Sequence, residues 1–371
     1  MQIDKPQPLP TTVAILGLGN IGSQVIDPVA RVKGLKRAVL IDPDHYTESN
    51  LASQRILRHD VGKSKVAVQS KRLREINPAL EVATFEDVIA NVPRGLLRGA
   101  VVLTPLDSFA ARRDACEAAW RVGATVIDGG VDPEMGLGRV TVYGPGEGAP
   151  CFCCGLEDAD FEAMPTKHIC ADAEEEAAPT NGSPSLGAMV GSLLVVELEK
   201  LLAGKVEHSL AGKELVVDVT HHRSFVTPLT RNPRCRFDHA QRDIRPLPGV
   251  SERSTLAVAL GAAGEALGAK GKVRLGVDGR EFAKALHCPG CGGAKELLAL
   301  PERLPFAARS CAACNGREMI AVGFKKLARI SASDVPARVL RRSLRSLGIR
   351  AGDVLVAGDG GQERYFEVNH D

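Results

Sequence analysis

Aromatic residues make up only 4% of the chain, with one tryptophan and three tyrosines, so a base-stacking surface for single-stranded nucleic acid is not expected. An excess of charge of either sign is also missing. Forty-seven Lys and Arg against 45 Asp and Glu leave a formal net charge of +2, which gives no electrostatic footprint for nucleic acid or an anionic membrane. No hydrophobic run is long enough to span a bilayer. The most apolar stretch, Leu186–Leu202, is interrupted by Glu197, Glu199 and Lys200 and reads as a buried amphipathic helix. Met1 to Thr12 is polar and carries prolines, without the apolar core of a secretory signal. Ten cysteines without an export signal imply reduced thiols serving metal or catalysis, and the cytoplasm is the expected compartment. No internal repeat is present.

What the chain does have is an ordinary globular balance, 44% apolar and 25% charged, over 371 residues. That length predicts a large catalytic domain and a smaller one. Short β-branched runs at Val13–Leu16, Ala38–Ile41, Leu80–Phe85, Ala100–Leu103 and Ala124–Asp128 alternate with helical patterns at Lys63–Ile76 and Phe109–Val122. Alternation of this kind predicts an α/β fold, a doubly wound, mostly parallel sheet covered on both faces. Pro28 is expected to interrupt the helix that follows Gly22. Between residues 159 and 185 periodicity gives way to an acidic, alanine-rich crossover. A helix at Leu186–Leu202 and a strand at Glu214–Thr220 resume the core. The boundary is placed at 248, so 1–248 is one domain. Residues 249–371 form a second, built around four cysteines and closing on a helix (Ala337–Leu347) and a short strand pair.

Gly17-Leu-Gly19-Asn20-Ile-Gly22 follows a predicted strand and opens a helix. Glycines there let backbone amides approach a phosphate, and the helix N-terminus favours negative charge. Asp42, at the end of the second strand, can bond a ribose hydroxyl. Taken alone these residues suit an NAD-dependent oxidoreductase as well as an ATP-binding enzyme, and the glycines could serve close packing only.

The next segment narrows the choice. Ile41-Asp42-Pro-Asp44, then Glu48-Ser-Asn50-Leu51-Ala-Ser53-Gln54-Arg55, Val61-Gly62-Lys63-Ser-Lys65 and Ile76-Asn77-Pro78 follow in order. This run resembles the ThiF-type adenylyltransferases, which include ubiquitin-activating enzymes and the activators of sulfur carriers in molybdenum-cofactor and thiamine synthesis. The resemblance covers roughly residues 12–240 and implies ATP with Mg2+. It places Gly17, Gly19, Asn20 and Gly22 at the phosphates and Asp42 at the ribose. Asn50, Arg55 and Lys65 would surround the triphosphate, with Asp107 near magnesium. Charge building on the α-phosphate under carboxylate attack is what such cations and amides stabilise. One departure is plain: Ser53 stands where the family commonly has arginine, and Arg55 is expected to substitute.

Two cysteine constellations have metal-ligand spacing. Pro150-Cys151-Phe-Cys153-Cys154 and Asn232-Pro233-Arg-Cys235-Arg-Phe-Asp-His239 are two short-spaced pairs far apart in sequence, suited to a structural Zn2+ on Cys151, Cys154, Cys235 and His239, with Cys153 spare. Buried thiols and an exposed histidine are the bland alternative. Cys288-Pro-Gly-Cys291 and Cys311-Ala-Ala-Cys314 form a zinc-ribbon pattern on spacing alone. Its role is read as structural or as a docking surface for a partner protein. Cys170, in Lys167-His168-Ile-Cys170, matches the crossover position where relatives carry a reactive cysteine, and the neighbouring basic groups favour its thiolate.

The reading is therefore an enzyme that adenylates the C-terminal glycine carboxylate of a ubiquitin-like carrier. It then forms a thioester on Cys170 and passes the carrier to a conjugating enzyme, working as a homodimer. A sulfur-carrier activator without thioester is the nearest alternative. An NAD-dependent oxidoreductase and a catalytically silent scaffold are the others.

Overall fold

The computed structural model of the protein describes residues 10–164, 183–269, 271–323 and 326–369. These fall into two compact units: one comprises the chain to Val92 together with Leu97–Gln241, and the other Pro93–Leu96 with the chain from Arg242 onward.

In the first unit, hydrophobic β-branched runs become the central strands because they are apolar on both faces. β1 (Thr12–Leu16), β2 (Arg37–Ile41) and β4 (Ala100–Thr104) are buried almost throughout. With β3 (Glu81–Phe85) and β5 (Thr125–Asp132) they pair in parallel in the order β3-β2-β1-β4-β5. β6 (Leu137–Tyr143), β7 (Lys213–Asp218) and β8 (Arg223–Pro228) extend the same sheet antiparallel, giving eight strands among the described residues. The helices α1 (Asn20–Val29), α2 (Lys65–Ile76), α3 (Phe109–Arg121) and α5 (Pro184–Leu202) cover it, while α4 (Asp158–Ala163) is one short turn. Ile21, Val25 and Ile26 of α1 join Val190, Leu194 and Leu198 of α5 and strand residues such as Ile15 and Val101 in one buried cluster.

The doubly wound, mostly parallel sheet expected from the alternating pattern is thus present. Strand order reverses between β1 and β4, so their connections leave in opposite directions and open a crevice at the carboxyl ends of the strands. Pro28 breaks nothing: α1 ends one residue later at Val29, so the proline occupies the last turn. β5 runs four residues beyond its predicted end and is joined there by β6, which sequence reading had not separated.

In the second unit, β9 (Ile244–Ser251), β10 (Arg274–Val277), β15 (Val354–Gly358) and β16 (Glu363–Asn369) form a sheet ordered β10-β15-β16-β9. α6 (Leu256–Leu267) lies against it, its Leu256, Leu260 and Ala263 in a core with Leu247, Leu355 and Phe366. β11 (Phe282–His287), β12 (Ala294–Ala299), β13 (Ile320–Ala321) and β14 (Lys326–Leu327) make a second small sheet, with α7 (Phe306–Arg309) beside it in sequence. The helix expected over Ala337–Leu347 is a correction. Only α8 (Ala337–Leu340) is α-helical, followed by a 3-10 turn at Arg345–Leu347. Backbone pairing wins: the Leu256 amide donates to the Arg342 carbonyl at 3.0 Å and the Leu344 amide to the Ser254 carbonyl at 2.9 Å. Both contacts are incompatible with an unbroken helix.

Leu194 is fully buried between α5 and the sheet. Leu194→Ala is expected to cost about 2–5 kcal/mol of stability, read as a lower denaturant midpoint at unchanged slope.

Candidate functional site

The crevice at the switch point is a cleft of about 370 Å³ lined by the ends of β1, β2 and β4 and by the start of α1. Its geometry begins with Gly17, held at φ +93°, where a side chain would be strained, while its amide donates to the Ile41 carbonyl at 2.9 Å. Gly22 lets the helix start close against that turn: a Cβ there would lie 2.0 Å from the Gly17 carbonyl oxygen. No side chain among the described residues caps the N-terminus of α1. Its first amides therefore remain available to an anion, and the helix dipole favours one.

Asp42, 4% exposed at the end of β2, accepts the Leu18 amide at 2.6 Å and the Asp44 amide at 2.9 Å. Burial raises its carboxyl above the ordinary range, opposed by the Lys65 ammonium and both amides. Lys65, the first residue of α2, stands with its Nζ 2.8 Å from Asp44 Oδ2 and 3.8 Å from Asp42 Oδ1. Tyr46 locks the same loop from below. Its hydroxyl donates to the Leu18 carbonyl at 3.1 Å and receives the Gln69 amide at 2.7 Å, and burial keeps the phenol protonated.

Two buried carbonyl oxygens in the cleft lining, Asn20 Oδ1 and Gln54 Oε1, have no hydrogen-bond partner among the described residues. Asn20 is turned toward the start of α5, its Nδ2 donating to the Ser183 carbonyl at 3.2 Å. Asp107 sits exposed in the loop between β4 and α3 and lines the same cleft. The structure therefore gathers Gly17, Gly19, Asn20, Asp42, Lys65 and Asp107 in one place.

Asn50 and Arg55 are not among them. Asn50 Oδ1 accepts the Thr47 amide at 2.9 Å, closing a local capping box. The Arg55 guanidinium turns outward to Asp27, 2.8 Å away, a carboxylate that Arg72 also holds at 2.5 Å. What reaches the cleft from this segment is Gln54, because the Arg55 amide is tied to Ser23 Oγ at 2.9 Å. Sequence reading also passed over Asp44, Tyr46 and Gln54; only Asp44 carried a signal, two residues after a ribose-type aspartate. Cys170 lies outside the described residues.

The eight expected metal ligands form two groups of four. In the first unit Cys151 Sγ is 3.8 Å from Cys154 Sγ and 3.7 Å from Cys235 Sγ, and Cys154 Sγ is 3.3 Å from His239 Nε2. A tetrahedral zinc with sulfur ligands at ~2.3 Å has a sulfur–sulfur edge of ~3.8 Å, so the donor set fits that ion. The single tryptophan orients the histidine: Trp120 Nε1 donates to the His239 carbonyl at 2.8 Å, and the two rings meet edge to face at 5.2 Å. Burial lowers the His239 pKa, leaving the neutral imidazole a ligand needs. Cys153 points elsewhere, toward Glu117 Oε1 at 3.7 Å.

In the second unit Cys288, Cys291, Cys311 and Cys314 converge, with Cys291 and Cys311 sulfurs 3.7 Å apart. Backbone amides hold Cys288 down at about 6, whereas hydrogen bonding to Cys291 and Cys288 pushes Cys314 up to about 12. Four crowded thiols cannot all ionise together unless a cation sits among them.

Comparison with known proteins adds four findings. The ThiF family profile matches residues 9–237. Ubiquitin-like modifier-activating enzyme 5 of Branchiostoma floridae is 29% identical over 210 residues, covering 52% of this chain and 49% of that protein. The sulfur carrier protein adenylyltransferase of Thermus thermophilus is 28% identical over 232 residues, covering 60% of this chain and 80% of that one. Against the first of these, the chain spans about half the relative's length. Among solved structures, E. coli MccB with succinimide is similar in fold, with a TM-score of 0.51, 20% identity, and 61% and 66% of the two chains covered. No described helix is long and apolar enough to cross a membrane.

Two measurements probe these sites separately. Elemental analysis of the purified chain is expected to find two zinc equivalents, with one lost in Cys235→Ser and the other in Cys311→Ser; a chain without metal contradicts both sites. Gly22→Ala should weaken nucleotide binding by more than roughly tenfold, since the added methyl collides with the phosphate loop itself, and equilibrium titration with a fluorescent ATP analogue reads the change.

Proposed function

The chain belongs to the ThiF family, and from that membership we propose that it is an ATP-dependent adenylyltransferase activating the C-terminal glycine carboxylate of a ubiquitin-like carrier protein. The observation that carries the reading is the gathering of the open α1 N-terminus, Asp42, Lys65 and Asp107 in one cleft at the switch point. Lys65 distinguishes this site from a nicotinamide one. A buried ammonium held between two carboxylates at the strand end suits a triphosphate that takes it over, and hydride transfer has no use for it.

In the proposed reaction a carboxylate oxygen of the carrier attacks the α-phosphorus of ATP. The bond to the pyrophosphate oxygen breaks, giving acyl-adenylate and pyrophosphate. Negative charge grows on the phosphate oxygens, where the α1 amides and Lys65 stabilise it. Asp42, already bonded to two amides, keeps lone pairs free for the ribose hydroxyls. Asp107 would hold a magnesium ion, which when bound neutralises charge on the phosphates.

Cys170 is proposed to follow. Its sulfur attacks the acyl carbon, the bond to AMP breaks, the thiol proton leaves to solvent and a thioester remains for transfer to a conjugating enzyme. Pairing of two copies, as the resemblance implies, belongs to the same proposal, as does zinc as the occupant of both cysteine groups. A second reading, a sulfur-carrier activator that stops at the adenylate, is favoured by one observation: the alignment to the Thermus protein covers four-fifths of that relative.

The test is carrier-dependent exchange of pyrophosphate into ATP, using a glycine-ended ubiquitin-like protein encoded beside this chain. Exchange is expected in the wild type and a loss of roughly 10²-fold in Asp107→Ala, the scale of removing one preorganised stabilising group. Unchanged exchange in the variant would remove Asp107 from the site. On a non-reducing gel, a thiol-sensitive adduct absent from Cys170→Ala supports the thioester; exchange without an adduct favours the sulfur-carrier reading.

A further inference from the structure

Arg112, in the first turns of α3, is buried and lines the cleft, yet the proposed chemistry does not use it. Four of its five N–H donors have partners. Nε and Nη2 both donate to the Leu106 carbonyl, at 2.8 and 2.5 Å, and Nη2 also reaches the Gly129 carbonyl at 3.2 Å. Nη1 lies 3.2 Å from Asp128 Oδ2. The Leu106 carbonyl belongs to the peptide whose nitrogen is that of Asp107. Two donors of a rigid planar fork on one oxygen fix the tilt of that peptide plane, and with it the direction in which the Asp107 side chain leaves the backbone.

Arg112 is itself aimed from behind. Asp128, with no exposure, takes the Thr104 hydroxyl at 2.8 Å on its other oxygen and Arg139 Nη2 at 3.1 Å beside Arg112. Arg139 continues to Glu214 at 3.5 Å, which also accepts from Thr141 at 3.1 Å. Cations and anions alternate along Arg112, Asp128, Arg139 and Glu214, so the set is neutral and leaves no spare positive charge for a phosphate. Gly130 makes room for the two guanidiniums: a Cβ there would lie 3.0 Å from Arg139 Nε and 3.1 Å from both Arg112 Nη atoms. The held loop also walls the phosphate turn, since the Pro105 carbonyl lies 3.1 Å from where a Gly17 Cβ would stand.

We propose that Arg112 is a positioning residue that holds Asp107 at the phosphate end of the cleft through the Leu106 carbonyl, with Asp128 as the buried counterion that keeps the guanidinium aimed. This rests on the assignment of Asp107 to magnesium–phosphate binding made above. It predicts a particular defect: loss of the contribution of magnesium to ATP affinity, with the affinity for ATP alone intact.

The experiment is calorimetric titration of the full chain with ATP, once with excess magnesium and once with EDTA. It compares the wild type, Arg112→Gln, Arg112→Lys, Asp107→Asn and the Arg112→Gln/Asp107→Asn pair. The wild type is expected to bind more tightly with magnesium. Arg112→Gln should lose roughly tenfold of that gain while binding ATP in EDTA as the wild type does, and Arg112→Lys, which keeps the charge without the fork, should lose less. The double variant should be no weaker than Asp107→Asn, because both changes remove one effect.

Equal weakening in both media, unchanged binding in both, or losses that multiply in the double variant would overturn the proposal. Should Arg112→Gln not fold, Asp128→Asn and Arg112→Lys complete the same cycle with the same expectations. Failure of the wild type to bind ATP in either medium would instead sink the adenylyltransferase reading, and this inference with it.

Discussion

Asp42 accepts the Leu18 amide at 2.6 Å and the Asp44 amide at 2.9 Å, so the phosphate turn after β1 and the end of β2 are held as one piece. The rest of the first unit's chemistry depends on that carboxylate. Leu18 is the residue between the two glycines that shape the turn, and its carbonyl is fixed in turn by Tyr46. Lys65 is drawn to the same spot by Asp42 and Asp44 and brings the start of α2 with it. Burying a carboxylate is unfavourable, as its upward shift shows, and two amides and an ammonium offset the cost. A site assembled this way is preorganised: the groups proposed to meet a phosphate already stand together at the strand ends.

The sheet divides its labour. Its parallel half supplies the crevice, because only parallel strands with crossovers leave a switch point. Its antiparallel half gives the cleft only Val131 and Pro133 among the described residues, but β6 and β7 carry Arg139 and Glu214, the outer members of the ionic set that ends at Arg112. The cysteine–histidine group in this unit brings the segment after β6 together with the one after β8, two stretches 84 residues apart at Cys151 and Cys235. In the second unit the knuckles play the same part for a sheet with only a handful of buried apolar side chains around it.

How much of this was legible follows from where local rules decide. The parallel strands, the glycine turn and Asp42 could be read directly, since a doubly apolar strand followed by a glycine turn has one common structural answer, whereas Lys65 came only with the family resemblance. The cysteine spacings were equally plain. Arg55 was misleading because sequence shows that a cation is near the site, not which way it faces; Asp27, 28 positions earlier, takes it. Arg112 and Asp128 could not be paired by spacing, because their contact depends on the β4–α3 turn bringing two strands' ends together. α6 was missed although its signals were present: Thr255 caps it at 3.3 Å and Gly268 closes it in the left-handed region. The helix drawn over Ala337–Leu347 failed for the opposite reason, a helical pattern overridden by backbone pairing with residues 254–256.

The proposed choice of a nucleoside triphosphate over a nicotinamide dinucleotide turns on Lys65 standing where it does. Competition for a bound fluorescent ATP analogue decides it most directly. Mg-ATP is expected to displace the analogue at micromolar concentration and NADH to leave it in place even in large excess, with Lys65→Ala weakening ATP by roughly tenfold or more. Displacement by NADH at concentrations where ATP does nothing would contradict the account.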